Sequence, residues 1–140
     1  MDNIKFTKIW KDTDFYQAEI LIETNNIRNT IITYIVRQEI KELSRKINDF
    51  LSKPKDEDYW EIGERGSKSC PYLKFEFLSI DCYGHVKIDI YMDILSEQET
   101  EKYQCCFPIE TEVGLLYNFA NSIKKLNDAD VNFNVQLFET

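Results

Sequence analysis

The sequence contains a single histidine, His85, which limits the catalytic chemistry available to it. A nucleophile needs a base within hydrogen-bonding distance, and the pairing that the sequence offers is His85 with a nearby thiol such as Cys82. No Cys-x-x-Cys motif is present, and Cys82-x-x-His85 supplies only part of a zinc site. Cys105 and Cys106 do not complete it, because adjacent side chains on a strand point to opposite faces. We therefore expect no catalytic residue, metal site or cofactor.

Long apolar runs are also absent, and acidic residues outnumber basic ones. No window approaches the roughly 18 consecutive apolar residues of a membrane-spanning helix, and the N-terminus lacks the pattern of a signal peptide. The 17 basic residues are outnumbered by 25 acidic ones, and a net charge of -8 repels nucleic acid and anionic membranes. We expect a cytoplasmic protein with a basic partner and reduced thiols at Cys70, Cys82, Cys105 and Cys106.

Two other patterns carry little chemical information. The pairs Asp89 with Asp93 and Glu97 with Glu99 are typical of a solvated strand surface, because glycosidase chemistry also needs a cleft at a set carboxylate separation. The glycine-containing segment 63–69 lacks the Gly-Lys-Ser/Thr ending and the strand-to-helix context of a phosphate loop. We interpret it as a flexible connection.

The most regular stretch of the chain is 70–94, which predicts two antiparallel strands joined at Cys82-Tyr83-Gly84-His85. If Tyr83 and Gly84 straddle the turn, one face of the hairpin is almost wholly apolar, and a slip of one residue would expose it. The cross-strand pairs expected in this register include Phe77 with Ile90, Phe75 with Met92 and Leu73 with Ile94.

The rest of the chain alternates between strand and helix periodicity. Strands are predicted over 4–10, 15–24, 27–36, 103–109 and 131–137, with a possible short strand at 59–62 in a loop. The turn Asn25-Asn26 pairs Glu23 with Arg28 and Ile20 with Ile31. Amphipathic helices are predicted over 37–51 and from an N-cap at Thr111 to Asn127.

These elements predict one α+β domain over 1–140. The order β-β-β-α-β-β-β-α-β implies an antiparallel or mixed sheet of about six to seven strands with two helices packed on one face.

The residue types in one segment favour an interaction surface over a catalytic site. Two aromatic residues lie among five acids in the segment that contains Asp56, Glu57, Asp58, Tyr59, Trp60, Glu61 and Glu64. Tyrosine and tryptophan are favoured anchors of protein interfaces, and the acids would steer a basic partner. We predict that this segment binds a partner. The alternative is that Tyr59 and Trp60 fold back onto the sheet while the acids face water.

Three short motifs resemble the small immunity proteins of bacterial polymorphic toxin systems, most nearly the WapI family. They are Asp14-Phe15-Tyr16 at the entry to a long strand, Gly84-His85-Val86 between two amphipathic strands, and the strand-to-helix segment 107–115. The resemblance covers residues 4–126 and is carried mainly by element order. It implies a cytoplasmic, non-enzymatic protein that binds and neutralises a cognate toxin domain, often a nuclease, by occlusion. No contact residue transfers from the family.

Two further hypotheses stay open. The chain could be a binding or scaffold module of unrelated role, which a gene neighbourhood without a secreted toxin would favour. It could also be a small enzyme, which would require a concave pocket that joins His85, a cysteine and acids.

Overall fold

The computed structural model describes residues 2–53, 58–95, 98 and 101–138. Its elements are β1 (Asn3–Lys11), β2 (Phe15–Glu23), β3 (Arg28–Val36), α1 (Arg37–Ser52), β4 (Asp58–Ile62), β5 (Tyr72–Ser79), β6 (His85–Leu95), β7 (Lys102–Glu112), α2 (Val113–Ile123), a 3₁₀ segment (Lys124–Asp128) and β8 (Asn134–Gln136). The α+β class and the predicted element order are confirmed, and the possible short strand is present as β4.

The strands of the described residues form two antiparallel sheets of four strands each, where the sequence suggested one larger sheet. The first sheet has the order β3-β2-β1-β8, and the second has the order β4-β5-β6-β7. The division falls at α1. The three strands before it, β1 to β3, pair with one another, and β4, which follows it, pairs with β5. The C-terminal strand β8 then returns to the first sheet beside β1.

Each sheet buries one face in a single core that the helices share. The ring centroid of Phe6 in β1 lies 6.3 Å from that of Trp60 in β4, 6.4 Å from that of Phe75 in β5 and 6.1 Å from that of Phe119 in α2. The hydroxyl of Ser44 in α1 donates a hydrogen bond of 2.7 Å to a backbone carbonyl of α2. The core therefore joins both sheets and both helices.

The register of the hairpin formed by β5 and β6 differs from the prediction. Phe75 lies opposite Ile90 and Phe77 opposite Ile88, a shift of two residues that leaves the apolar face buried. The shift arises in the turn, where the Asp81 carboxylate accepts hydrogen bonds from the backbone N–H groups of Tyr83 and His85. β5 consequently ends at Ser79, before the predicted loop begins at Cys82, and β6 begins at His85.

The predicted helix cap at Thr111 is also wrong. Thr111 lies within β7 opposite Val86, and α2 begins two residues later at Val113. Cross-strand pairing with β6 holds Thr111 in extended conformation, which overrides its preference for an N-cap position.

Neither helix of the described residues has the length and the apolar composition of a membrane-spanning segment.

Candidate protein-binding surface

The acidic and aromatic segment predicted to bind a partner is only partly described. Asp56 and Glu57 lie outside the described residues. Tyr59 and Glu61 lie on the solvent-facing side of β4, and Glu64 follows in an exposed connection. Because β4 is an edge strand of the second sheet, this part of the prediction falls on an accessible surface.

Asp58 and Trp60 share the other side of β4, which faces inward. Asp58 is half-buried, whereas Trp60 is only 3% exposed. The indole Nε1 of Trp60 donates a hydrogen bond of 2.8 Å to the backbone carbonyl of Glu39. The Trp60 ring centroid lies 5.2 Å from that of Phe75. Trp60 is therefore a core residue, as the alternative interpretation had it, and does not present its ring to a partner.

Tyr59 retains the features of a contact residue. Its side chain is 40% exposed, and the ammonium groups of Lys46 and Lys74 lie 5.1 and 5.0 Å from its ring centroid. The carboxylate of Glu61 accepts a hydrogen bond of 2.6 Å from the Tyr72 hydroxyl. Burial, followed by this hydrogen bond, raises the pKa of Tyr72 to about 12, so the phenol stays protonated at neutral pH.

A second group of aromatic residues, which the sequence analysis did not identify, lies on the outer face of the first sheet. The ring centroid of Phe15 is 5.6 Å from that of Trp10 and 5.6 Å from that of Tyr34. The Trp10 and Tyr34 rings meet edge to face at 6.2 Å. Trp10 and Tyr34 are 43% and 40% exposed, so the cluster is open to solvent.

The backbone explains why these three rings meet outside the core. Tyr34 lies opposite Gln17, and Val36 opposite Phe15, on the solvent-facing side of the β2–β3 pair. A β-bulge between Lys8 and Trp10 then places Trp10 opposite Gln17, on the same side. Such a bulge re-aims the side chains that follow it. Without it, strand alternation would turn Trp10 inward.

Two adjacent cavities connect the aromatic cluster to β4. One, of about 480 Å³, is lined by residues that include Phe15, Tyr34, Val36, Glu39 and Glu64. The other, of about 320 Å³, is lined by residues that include Val36, Glu39, Glu42, Tyr59 and Glu61. Since both contain Val36 and Glu39, the two regions form one surface. We call it the β3–β4 surface and define it by Trp10, Phe15, Tyr34, Val36, Glu39, Glu42, Tyr59, Glu61 and Glu64.

The β3–β4 surface is apolar at its centre, and four glutamates outnumber the single lysine, Lys46, among the side chains that line its two cavities. Ile32 and Val36, which are both 47% exposed, extend the apolar area along β3. Burial raises the pKa of the Glu39 carboxyl, and a hydrogen bond of 2.9 Å from the Val36 N–H partly opposes that shift. Glu42 forms an ion pair with Arg45 at 2.6 Å. These features would favour a partner that combines apolar contacts with positive charge.

A buried polar cluster joins β1, β2 and the start of α1 to the segment around Asn127. Lys8 is 2% exposed, and its Nζ donates hydrogen bonds to the backbone carbonyls of Asn127 and Ala129 at 3.3 and 2.9 Å. The Tyr16 hydroxyl donates to Asn127 Oδ1 at 2.7 Å. Arg37, the first residue of α1, donates to the same Asn127 carbonyl at 2.7 Å. The cluster therefore fixes the start of α1, and with it Val36, against the C-terminal part of the chain.

His85 and Cys82 lie at the end of the β5–β6 hairpin. His85 Nδ1 is 2.6 Å from Asp81 Oδ2, and this contact raises the pKa of His85 and lowers the pKa of Asp81. Cys82 is exposed and free. Among the described residues, no three His, Cys, Asp or Glu side chains are grouped closely enough to hold a metal ion. The partner of His85 is thus a carboxylate.

Comparison with protein-family models, curated proteins and solved structures finds no match for this chain.

Proposed function

We propose that this chain is an immunity protein, which binds a cognate toxin domain through the β3–β4 surface and neutralises it by occlusion. The exposed contacts between Trp10, Phe15 and Tyr34 carry this proposal. Contiguous exposed apolar patches on soluble proteins commonly mark interaction sites, and tyrosine and tryptophan are the residues most enriched among interface hot spots.

The sequence resemblance supplies the class of partner, and the charge distribution agrees with it. A toxin that grips phosphates, as a nuclease does, is usually basic. The excess of glutamates on this surface, Glu39, Glu42, Glu61 and Glu64, and the overall charge of -8 favour association with such a protein. Contact with the substrate-binding groove of the toxin would exclude its substrate. The chain itself would act without turnover.

The test is binding and protection against the toxin domain encoded by the gene directly upstream. We expect co-expression of the wild-type chain to restore growth of cells that produce the toxin. Tyr34→Ala should weaken binding at least about tenfold, because a central aromatic anchor contributes more than about 1.4 kcal/mol. Isothermal titration calorimetry would measure the loss.

Tyr117→Ala is the matched control. Tyr117 is 52% exposed on α2 and lines neither cavity of the β3–β4 surface, so its truncation should leave toxin affinity unchanged. Equal losses in the two variants would remove the β3–β4 surface as the interface. The absence of an upstream toxin gene, or no protection by the wild-type chain, would overturn the immunity function and favour an unrelated binding module.

A further inference from the structure

The strand β3 is an edge of the first sheet, and its register with β2 determines which of its backbone groups face outward. The N–H of Thr24 donates a hydrogen bond of 2.7 Å to the carbonyl of Ile27 at the start of this hairpin. Bonded pairs alternate with unbonded pairs along an antiparallel ladder, so every second residue of β3 bonds to β2. The residues between them direct their N–H and C=O groups away from the sheet, and they include Thr30, Ile32 and Tyr34.

Most of these outward groups are unpaired. Within the described part of the chain, the N–H and C=O groups of Thr30 and Ile32 and the N–H of Tyr34 make no hydrogen bond. The Tyr34 carbonyl accepts one of 3.3 Å from the Thr33 hydroxyl, and the Val36 N–H is held by the Glu39 carboxylate. The middle of β3 therefore offers a row of free donors and acceptors.

The other edges of the two sheets are short or protected. In β7, the N–H of Glu110 is directed outward and donates to the Asp2 carboxylate at 2.9 Å. Pro108 occupies the preceding outward position and has no N–H to offer. β4 has only five residues, among them Asp58 and Glu61, and β8 has three. Short strands, charges and proline are the usual means by which soluble proteins prevent pairing at a sheet edge.

β3 has none of these features. It is nine residues long, and residues 29–36 include no charged residue, proline or glycine. The exposed side chains of Ile32, Tyr34 and Val36 make its outer face apolar. An uncharged edge of this length is a template for pairing with another chain.

We propose that β3 pairs with an extended segment of the toxin domain that carries lysine or arginine, and that this segment adds a fifth strand to the first sheet. The pairing rests on the proposed function and specifies how the partner binds. The two cavities beside β3 provide the space, because they are bounded by Tyr34 and Val36 on one side and by β4 and the 63–70 connection on the other.

The chemistry of the surface indicates what the added strand contains. Main-chain hydrogen bonds to β3 would supply affinity, and alternate side chains of the strand would supply specificity. Apolar side chains would pack on Ile32 and Tyr34, which flank the free donors. Four glutamates and one lysine line the two cavities, so basic side chains are favoured over acidic ones elsewhere on the segment.

The test is a proline substitution at Thr30, which lies outside the set of residues that defines the β3–β4 surface. Thr30→Pro removes an outward N–H without breaking the ladder to β2, and Pro108 shows the same arrangement on β7. We expect it to weaken binding of the upstream toxin domain at least about tenfold in isothermal titration calorimetry. Thr30→Ala is the matched control, because it loses the same hydroxyl but keeps the N–H, and it should change affinity less than about threefold.

Amide hydrogen exchange of the wild-type chain, followed by NMR, gives a second readout that does not require the proline variant to fold. In the free chain the amides of Thr30 and Ile32 should exchange faster than those of Ile31 and Thr33, and toxin binding should slow the first two at least about tenfold. If the toxin binds but leaves these amides unprotected, or if a folded Thr30→Pro variant binds as well as Thr30→Ala, the strand pairing is overturned and the immunity function stands. If the toxin does not bind the wild-type chain, both are overturned.

Discussion

Trp60 is held in the core by ring contacts and by a hydrogen bond at the same time. Its ring packs against Phe6 and Phe75, while its N–H donates a hydrogen bond to the carbonyl of Glu39. The sequence places Trp60 among acids, which suggested an exposed anchor. Strand alternation explains the result, because Tyr59 and Glu61 take the outer side of β4 and leave Trp60 and Ile62 inside.

Truncation of Trp60 should therefore affect stability first. We expect Trp60→Ala to lower the free energy of unfolding by about 3 to 5 kcal/mol, through the lost burial and the cavity that remains. Tyr59→Ala, at the neighbouring exposed position, should cost less than about 1 kcal/mol. Urea unfolding followed by circular dichroism measures both. Similar losses for the two variants would contradict the assignment of Trp60 to the core.

At the scale of elements, the register of a hairpin could be predicted from the sequence where its turn is short, and was wrong where side chains organise a longer turn. Asn25-Asn26 forms a two-residue connection, and the predicted pairs Glu23 with Arg28 and Ile20 with Ile31 are confirmed. The β5–β6 turn is longer, and the Asp81 carboxylate organises it through side-chain hydrogen bonds that periodicity does not reveal. The error was an even number of residues, so the buried face was predicted correctly.

The same turn carries a pH-dependent contact. Because Asp81 raises the pKa of His85, the folded chain retains a proton that the unfolded chain releases. The stabilisation by this pair is complete below the ordinary histidine pKa of 6.5 and is lost as pH rises through the raised value. Asp81→Asn should lower the pKa of His85 towards 6.5, as measured by NMR titration of the single histidine.

Glu112→Gln serves as the control for this titration. Glu112 also raises the pKa of His85, but it is a smaller cause than Asp81. Its neutralisation should therefore move the titration less than Asp81→Asn does. A pKa of His85 that Asp81→Asn leaves unchanged would show that the pair does not persist in solution.

At the scale of the whole molecule, the β3–β4 surface depends on which side of each sheet the core covers. The run Ile31 to Val36 is largely apolar on both of its faces, and sequence periodicity alone does not indicate which face stays exposed. Trp10 adds a second difficulty, because the β-bulge before it reverses its side of the strand. The acidic half, with Tyr59, Glu61 and Glu64, could be predicted because charge marks a solvated surface.

The charge of the whole chain should act mainly on the rate at which a partner arrives. Reversal of Glu61 and Glu64 to lysine should slow association with the basic toxin domain about tenfold at low salt, because long-range attraction steers encounter. Added salt should slow the wild-type protein more than the variant, since screening removes an attraction that the variant already lacks. Stopped-flow kinetics at several ionic strengths would measure both effects.

Reversal of Glu23 and Asp89 to lysine is the control, because it changes the net charge equally but lies outside the β3–β4 surface. It therefore separates local steering from net charge. If this control slows association as much as the first variant, the partner approaches the molecule as a whole and the β3–β4 surface has no special part in its capture.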